Sequence, residues 1–341
     1  AAAGNRAWEV AARPSLSFRV AGTTVGMLAA LALLGNARLA FFPPEASTTR
    51  IASVSRIDLT LHPDPRVVAR FYAHQPLAPE ELATIRSHAA AIDDDLLAHA
   101  EQEARAGARI VFWGEANAPV LKEDESDLIS RASEIARRSG VYLGMAVAVW
   151  HVEAKPPLEN KLVLITPDGQ VAWEYFKAHP IPGAEAGMSI TRDGKLRALD
   201  TPFGRLTAVI CFDGDFPQLL AQAGRLRADI VLDPSSDWRA IDPWHTQMAS
   251  FRAIEQGVSL VRQTSLGLSA AFDYEGRVLA TMDHYSAADH ALVSHVPSRG
   301  VRTIYSRYGD WFAWASLLGL VALVGVGGMH RPNPARTAER R

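Results

Sequence analysis

Three short segments carry side chains that could do covalent chemistry together. The chain's single cysteine, Cys211, closes the run Leu206-Thr207-Ala208-Val209-Ile210. That run is short, apolar and β-branched, so it reads as a buried strand. Asp213-Gly214-Asp215 breaks it, and a helical pattern starts at Phe216. A thiol between a strand end and a helix start can be exposed and polarised by helix N-terminal amides. Glu115 follows a second apolar run, Arg109-Ile110-Val111-Phe112-Trp113-Gly114. Lys177 ends a third, Val171-Ala172-Trp173-Glu174-Tyr175-Phe176, and a loop rich in proline and glycine then carries Glu185.

Taken singly, these are a small buried hydrophobe, a solvated loop carboxylate and a surface lysine. Taken together they make chemical sense. A thiol with a pKa of about 8.5 needs help to attack at neutral pH. A neighbouring carboxylate, Glu115, can take its proton and later return it to a leaving amine or alcohol. An ammonium, Lys177, lowers the thiol pKa and stabilises a tetrahedral oxyanion. The backbone N–H of Phe212 is a second oxyanion donor, and Glu185 can hold Lys177 charged and oriented. Rival chemistries lack their parts. No G-x-S-x-G elbow is present, no H-x-x-x-H pair occurs, and one cysteine excludes a thiolate cluster. No metal or cofactor is implied.

The elements that must position these groups follow from periodicity. The first strand is expected from Arg50 to Asp58, then a short helix over Val67–Tyr72. Pro79-Glu80-Glu81 opens a long helix to about Ala106, with Leu82, Ile85, Ala89, Ile92, Leu96, Leu97 and Ala100 on one stripe and Gly107 closing it. Further helices are expected over Asp124–Ser139, Phe216–Leu226 and Pro243–Gln256. Strands are expected over Arg109–Trp113, Val141–Trp150, Lys161–Thr166, Gln170–Phe176, Asp229–Leu232, Ser259–Gln263, Gly267–Asp273, Arg277–Met282 and His290–Val296. This alternation, followed by hairpins, is α/β with mixed sheets. His179 and His245 read as structural histidines, and Asp237 and Arg252–Glu255 as structural ion-pair partners.

A net charge of −2 over 341 residues gives no bulk attraction to nucleic acid. Two segments argue for a membrane. Residues 20–42 are largely apolar, with Arg6, Arg13 and Arg19 before them. Trp311 to Gly328 carries no charge, starts beside Tyr305, Tyr308, Trp311, Phe312 and Trp314, and is followed by Arg331, Arg336, Arg340 and Arg341. A spanning helix needs about 20 such residues, an aromatic belt marks its interface, and basic flanks mark the cytoplasmic side. The reading is a cytoplasmic tail over 1–19, a transmembrane helix over 20–42 and a linker over 43–50. A catalytic domain over 51–300 follows on the extracytoplasmic side, then an interfacial segment and transmembrane helix over 301–329 and a basic cytoplasmic tail over 330–341.

The order Glu115, Lys177, Glu185, Cys211 resembles the catalytic set of the nitrilase (carbon–nitrogen hydrolase) superfamily. Cys211-Phe212-Asp213-Gly214-Asp215-Phe216-Pro217 is similar to its C-[YF]-[DE]-x-x-F-P motif. The segments Ala228–Trp238, His245–Met248, Arg252–Glu255, Val261–Ser269 and Asp273–Val278, and the tail Gly300–Trp311, are most similar to the apolipoprotein N-acyltransferase branch. Two positions depart from that branch: Asp213 stands where it often has Glu, and Ser235-Ser236 where it often has Ser-Asn. The resemblance implies a nitrilase-like four-layer αββα sandwich, here flanked by two transmembrane helices. It also implies a bacterial inner-membrane enzyme that moves an acyl group from phospholipid, through a thioester on Cys211, to the N-terminal amine of a lipoprotein. Trp238 and Trp244 are then candidates for the substrate entrance. Hydrolysis of a C–N bond by the same set, with water as acceptor, is the alternative, and Asp213 leans toward it. A non-catalytic membrane-attached binding module is a third reading.

Overall fold

The computed structural model describes residues 16–42, 46–56 and 64–329. The expected tail over 330–341 and most of that over 1–19 lie outside these, as does the start of the 43–50 linker. The chain divides into two compact units, Ala1–Ala46 and Ser47–Arg341. In the first, helix α1 runs over Leu16–Phe41. Its stretch Ala21–Phe41 is the one helix among the described residues long and apolar enough to cross a membrane.

The second unit starts with strand β1, Thr48–Val54, so the domain begins inside what reads as linker. Helix α2 is Pro65–Tyr72 and helix α3 is Pro79–Arg105. Pro79 sits at the first helical position of α3, and the Glu81 carboxylate accepts from the Ala78 N–H at 2.7 Å. Ile85, Ala89, Ile92, Leu96 and Ala100 form its buried stripe, and Gly107 takes a positive φ of 97° just past its end. Then come β2 (Ile110–Trp113), β3 (Ala118–Leu121), α4 (Glu125–Ser139), β4 (Tyr142–Trp150), β5 (Leu158–Ile165) and β6 (Val171–Phe176). They are followed by β7 (Ala198–Thr201), β8 (Gly204–Ala208), α5 (Pro217–Arg225), β9 (Ile230–Ser236), α6 (Trp244–Gln256) and β10 (Ser259–Ser265). Last are β11 (Leu268–Phe272), β12 (Val278–Asp283), β13 (Ala291–Pro297), α7 (Ile304–Tyr308) and α8 (Trp311–Met329).

Among the described residues these strands form two sheets. One is seven-stranded, ordered β13-β1-β2-β4-β5-β6 with β3 beside β4; the other is six-stranded, ordered β12-β11-β10-β9-β8-β7. Alternation sorts the faces. Ile51, Ile110 and Phe112 join the core shared with the second sheet, while Ala52, Val111 and Trp113 pack with Leu96, Leu97 and Leu128 of α3 and α4. Leu219, Leu220, Ala249 and Ala253 of α5 and α6 cover the other side of the second sheet. The layers are thus helix, sheet, sheet, helix. Polar bonds also cross between the sheets, from Ser53 Oγ to Gln263 Oε1 at 2.7 Å and between the Ser55 and Ser265 hydroxyls at 2.6 Å.

Three expectations change. β3 and β7 are strands where the sequence reads as loop: β3 contains Pro119, and β7 is a short, half-exposed edge. The strand expected to reach Cys211 ends at Ala208. Among the described residues α1 alone has the length and composition taken to span a membrane; the apolar described part of α8, Trp311–Gly325, is shorter, where the sequence reads as a second span.

Candidate active site

Cys211 opens a short 3-10 turn, Cys211–Asp215, and adopts a positive φ of 51°. Such a backbone is uncommon for a residue with a Cβ and persists only where the surroundings hold it. Here the Cys211 N–H donates to Asp233 Oδ1 at 3.0 Å, from the neighbouring strand β9. The thiol is fully buried, and its Sγ contacts the Ser236 carbonyl oxygen at 3.6 Å. The expected exposed thiol at a helix start is therefore not found. α5 begins only at Pro217, beyond the turn, so its amides do not face the sulfur. The turn leaves the Phe212 N–H as a first-turn donor without an intrahelical acceptor. Asp213 is engaged elsewhere in the turn's surroundings. Its buried carboxylate accepts from Tyr175 Oη at 2.8 Å, the His179 N–H at 2.8 Å and the Ala178 N–H at 3.2 Å. It thereby ties the nucleophile turn to the segment that follows Lys177.

Glu115 and Lys177 come from the first sheet, just past the ends of β2 and β6. They meet directly: Lys177 Nζ donates to Glu115 Oε1 at 2.7 Å. Glu185 sits on the other side of the ammonium at 2.8–2.9 Å and accepts the Ile181 N–H at 3.0 Å, which fixes its loop. Asn160 of β5, which the sequence does not single out, holds both partners. Its Nδ2 donates to Glu115 Oε1 at 2.7 Å, and its carbonyl accepts the Lys177 N–H at 2.9 Å.

The charges of Glu115 and Lys177 both reach the sulfur. Burial pushes the Cys211 thiol well above its ordinary pKa and Glu115 adds to this; Lys177 and Arg262 oppose it without overcoming it. Burial alone would pull the Lys177 ammonium down, but Glu115, Cys211 and Glu185 hold it above the usual lysine value. At rest the site therefore holds a neutral thiol and a fixed ammonium, with the Glu115 carboxyl bonded to that ammonium.

A second charged cluster lies on the other side of Cys211. Arg262 of β10 is fully buried and donates to Asp233 Oδ2 at 2.7 Å and Asp237 Oδ1 at 3.0 Å. His245 Nδ1 lies 2.7 Å from Asp237 Oδ1, and its Nε2 lies 3.1 Å from Asp215 Oδ1, at the end of the nucleophile turn. Burial opposes the imidazolium, but Asp215 and Asp237 outweigh it and hold the His245 pKa above its ordinary value. His245 and Asp237 thus do carry structural ion pairs, but these lie against the nucleophile. A signal was available in the sequence: Asp233 and Arg262 interrupt apolar strands, and buried charges need partners. Cys211, Asp237 and His245 are grouped closely enough to resemble a metal-ligand set. The Arg262 guanidinium, 2.8 Å from His245 Nδ1, already supplies the positive charge there.

A cavity of about 490 Å³ opens over the first cluster. Its polar lining includes Glu115, Asn160, Glu185 and Asp237, with Arg56 and His88, and its apolar lining includes Val68, Tyr72, Ile85, Ala89, Ile92 and Trp150. Trp238 lines it too, whereas Trp244 does not and lies 67 % exposed on the outside of α6. Cys211 itself is not among the lining residues, but its Sγ lies against the carbonyl of Ser236, which is.

Residues 76–293 match the family model described as carbon-nitrogen hydrolase. The chain belongs to the carbon-nitrogen hydrolase family. Within it, the chain is similar to apolipoprotein N-acyltransferases. It is 27 % identical to that of Geobacter metallireducens over 238 residues, covering 64 % of this chain and 45 % of the relative. It is 26 % identical to that of Bradyrhizobium diazoefficiens over 338 residues, covering 91 % and 60 %. The chain thus spans about half the length of these relatives. Among solved structures, an amidase from Nesterenkonia sp. superposes with a TM-score of 0.60 at 18 % identity, covering 80 % of this chain and 98 % of the amidase. This likeness establishes the αββα fold of a carbon-nitrogen hydrolase.

Proposed function

We propose that this chain carries the catalytic domain of a membrane-anchored N-acyltransferase. In this reading it takes an acyl group from a phospholipid, holds it as a thioester on Cys211, and passes it to the N-terminal amine of a lipoprotein. One observation carries the reading: a cavity lined by Val68, Tyr72, Ile85, Ile92 and Trp150, apolar enough for an acyl chain, is also lined by Glu115 and Glu185, which flank Lys177. The names of the relatives point the same way.

As the Cys211 thiol attacks the ester carbonyl, Glu115 takes its proton. The carbonyl electrons move onto oxygen, where Lys177 Nζ and the Phe212 N–H stabilise the charge. The C–O bond breaks, the leaving lysophospholipid alkoxide takes the proton from Glu115, and a thioester remains. The incoming amine attacks that thioester while Glu115 accepts its proton. The C–S bond breaks and the proton returns to sulfur. Glu185 acts through Lys177 and is a positioning residue.

Water could replace the amine, which is the hydrolase alternative. Asp213 gives it no support: its carboxylate is engaged with Tyr175, Ala178 and His179 and does not line the cavity. The topology in this reading has residues 20–42 and 311–329 crossing a bacterial inner membrane, both tails cytoplasmic and the domain outside. The basic residues at the outer flank of each segment support it. The test is mass spectrometry of the chain after incubation with phospholipid vesicles and a diacylated lipopeptide. An acyl adduct on Cys211 and an N-acylated lipopeptide are expected. A folded chain that forms neither would overturn the reading.

A further inference from the structure

The outer face of α6 has no partner. Its inner side buries Ala249 and Ala253, and its outer side carries Trp244, Met248 and Phe251 at i, i+4 and i+7, each at least half exposed. An exposed helix face is ordinarily polar. The apolar stripe does not stop at the helix. Past β13 the chain returns across the end of α6, where the Val301 N–H donates to Gly257 O at 2.7 Å and Thr303 Oγ1 donates to Glu255 O. From there α7 exposes Ile304 and Tyr308, and α8 starts with exposed Trp311, Phe312 and Trp314. The described side chains of α8 are exposed throughout, and a helix apolar on all sides is stable only in apolar surroundings.

We infer that the outer face of α6, continued by α7, lies on a lipid bilayer at the boundary between headgroups and acyl chains. This rests on the N-acyltransferase reading and adds the route by which a donor lipid reaches the site. Charge selects lipid over a second copy of the chain. The ends of α5, α6 and α7 meet where Gly224 approaches Gln256 and Ser306. Around that junction Arg225, Arg227, Arg302 and Arg307 are exposed, and of the acidic side chains there Asp310 is exposed too, bonded by Tyr305 Oη at 2.9 Å, so the positive charges are in excess. A cationic fringe around aromatic and apolar side chains complements anionic headgroups. Two copies meeting through this face would bring like charges together. The loop before α6 joins the surface to the cavity, since the Ile241 N–H donates to Trp238 O at 3.0 Å and the His245 N–H to Ile241 O at 3.0 Å. The loop thus links the docked face to Trp238, which lines the cavity.

Spin labels on the full chain in phosphatidylethanolamine–phosphatidylglycerol vesicles test this. Cys211→Ala removes the native thiol; a label then goes at Phe251→Cys or, as a control, at the exposed Asp200→Cys. The label at 251 should collide with oxygen in preference to an aqueous nickel chelate, with the opposite order at 200. Equal aqueous exposure at both positions overturns the inference, as does spin–spin broadening at 251, which would mean a second copy occupies the face. A second arm uses Met248→Ser with Phe251→Ser in the chain that retains Cys211. Acyl transfer from vesicle phospholipid should fall at least about tenfold, with acylation by a water-soluble short-chain ester unchanged. Equal loss on both donors overturns the docking role. If the parent chain is acylated by neither donor, the N-acyltransferase reading fails, and the spin-label arm still decides docking.

Discussion

The two charged clusters that flank Cys211 are built on one plan and do different work. In each, a cation lies between two carboxylates: Lys177 between Glu115 and Glu185, Arg262 between Asp233 and Asp237. The lysine cluster opens on the cavity through both glutamates. The arginine cluster is closed over Arg262 and Asp233 and grips backbone through the Cys211 N–H; of its members Asp237 alone reaches the cavity lining. A compact ammonium with rotatable donors suits a site where charge develops, and a rigid guanidinium fork suits one that must keep its shape. In the N-acyltransferase reading the same charge pattern serves proton and oxyanion chemistry on one side and holds the Cys211 turn on the other.

The division of labour can be broken by exchange. Glu115→Gln keeps a side chain that can bond Asn160 and Lys177 but removes the base. Single-turnover thioester formation should fall about 10²–10⁴-fold with little change in Tm. Arg262→Met should do the reverse, destabilising by about 3–5 kcal/mol because two buried aspartates lose their cation. Its rate per folded molecule should stay within about tenfold, read by denaturant titration alongside single-turnover kinetics. If Arg262→Met at full folding is as slow as Glu115→Gln, the arginine cluster takes part in chemistry and the contrast fails.

The thiol's protonation sharpens it next. With the Cys211 pKa pushed up, alkylation by iodoacetamide at pH 7.5 should be slower than for free cysteine and should rise through a pH range above the ordinary thiol value. Labelling as fast as a free thiol would mean a resting thiolate and remove the need for Glu115 as base. A smaller effect concerns His245. Its folded pKa is raised, so its stabilising contribution is complete below the unfolded value of about 6.5 and is lost as pH rises through the folded value. The Tm deficit of His245→Gln should therefore be largest at low pH and shrink toward pH 8; a pH-independent deficit would show that its charge is not what matters. The smallest effect separates the tryptophans. With a monomeric long-chain donor in detergent, Trp238→Ala should raise KM several-fold, from about 1–1.5 kcal/mol of lost apolar contact, and Trp244→Ala should leave it unchanged.

Much of this was legible before any coordinates. The stripe on α3 and the glycines after α3 and α4 located those helices to within a residue or two, because period and cap chemistry are local. β3 and β7 were not legible: Ala118–Leu121 contains a proline and Ala198–Thr201 is short and half exposed, so neither carries a period-2 signal. Asn160 escaped notice because an asparagine near a strand start has no pattern. It matters only through where β5 sets it, against Glu115 and Lys177.

By itself the sequence determined which residue types could form a cysteine site, the order of strands and helices, and the two apolar segments, since these depend on side-chain chemistry and near neighbours in the chain. Tertiary structure decided what surrounds the sulfur. Two sheets had to close on each other before Lys177 could face Glu115, before Arg262 could be sealed between Asp233 and Asp237, and before Cys211 could be buried rather than exposed. Those outcomes depend on burial and on charges brought together from distant strands, and neither quantity exists until the layers pack.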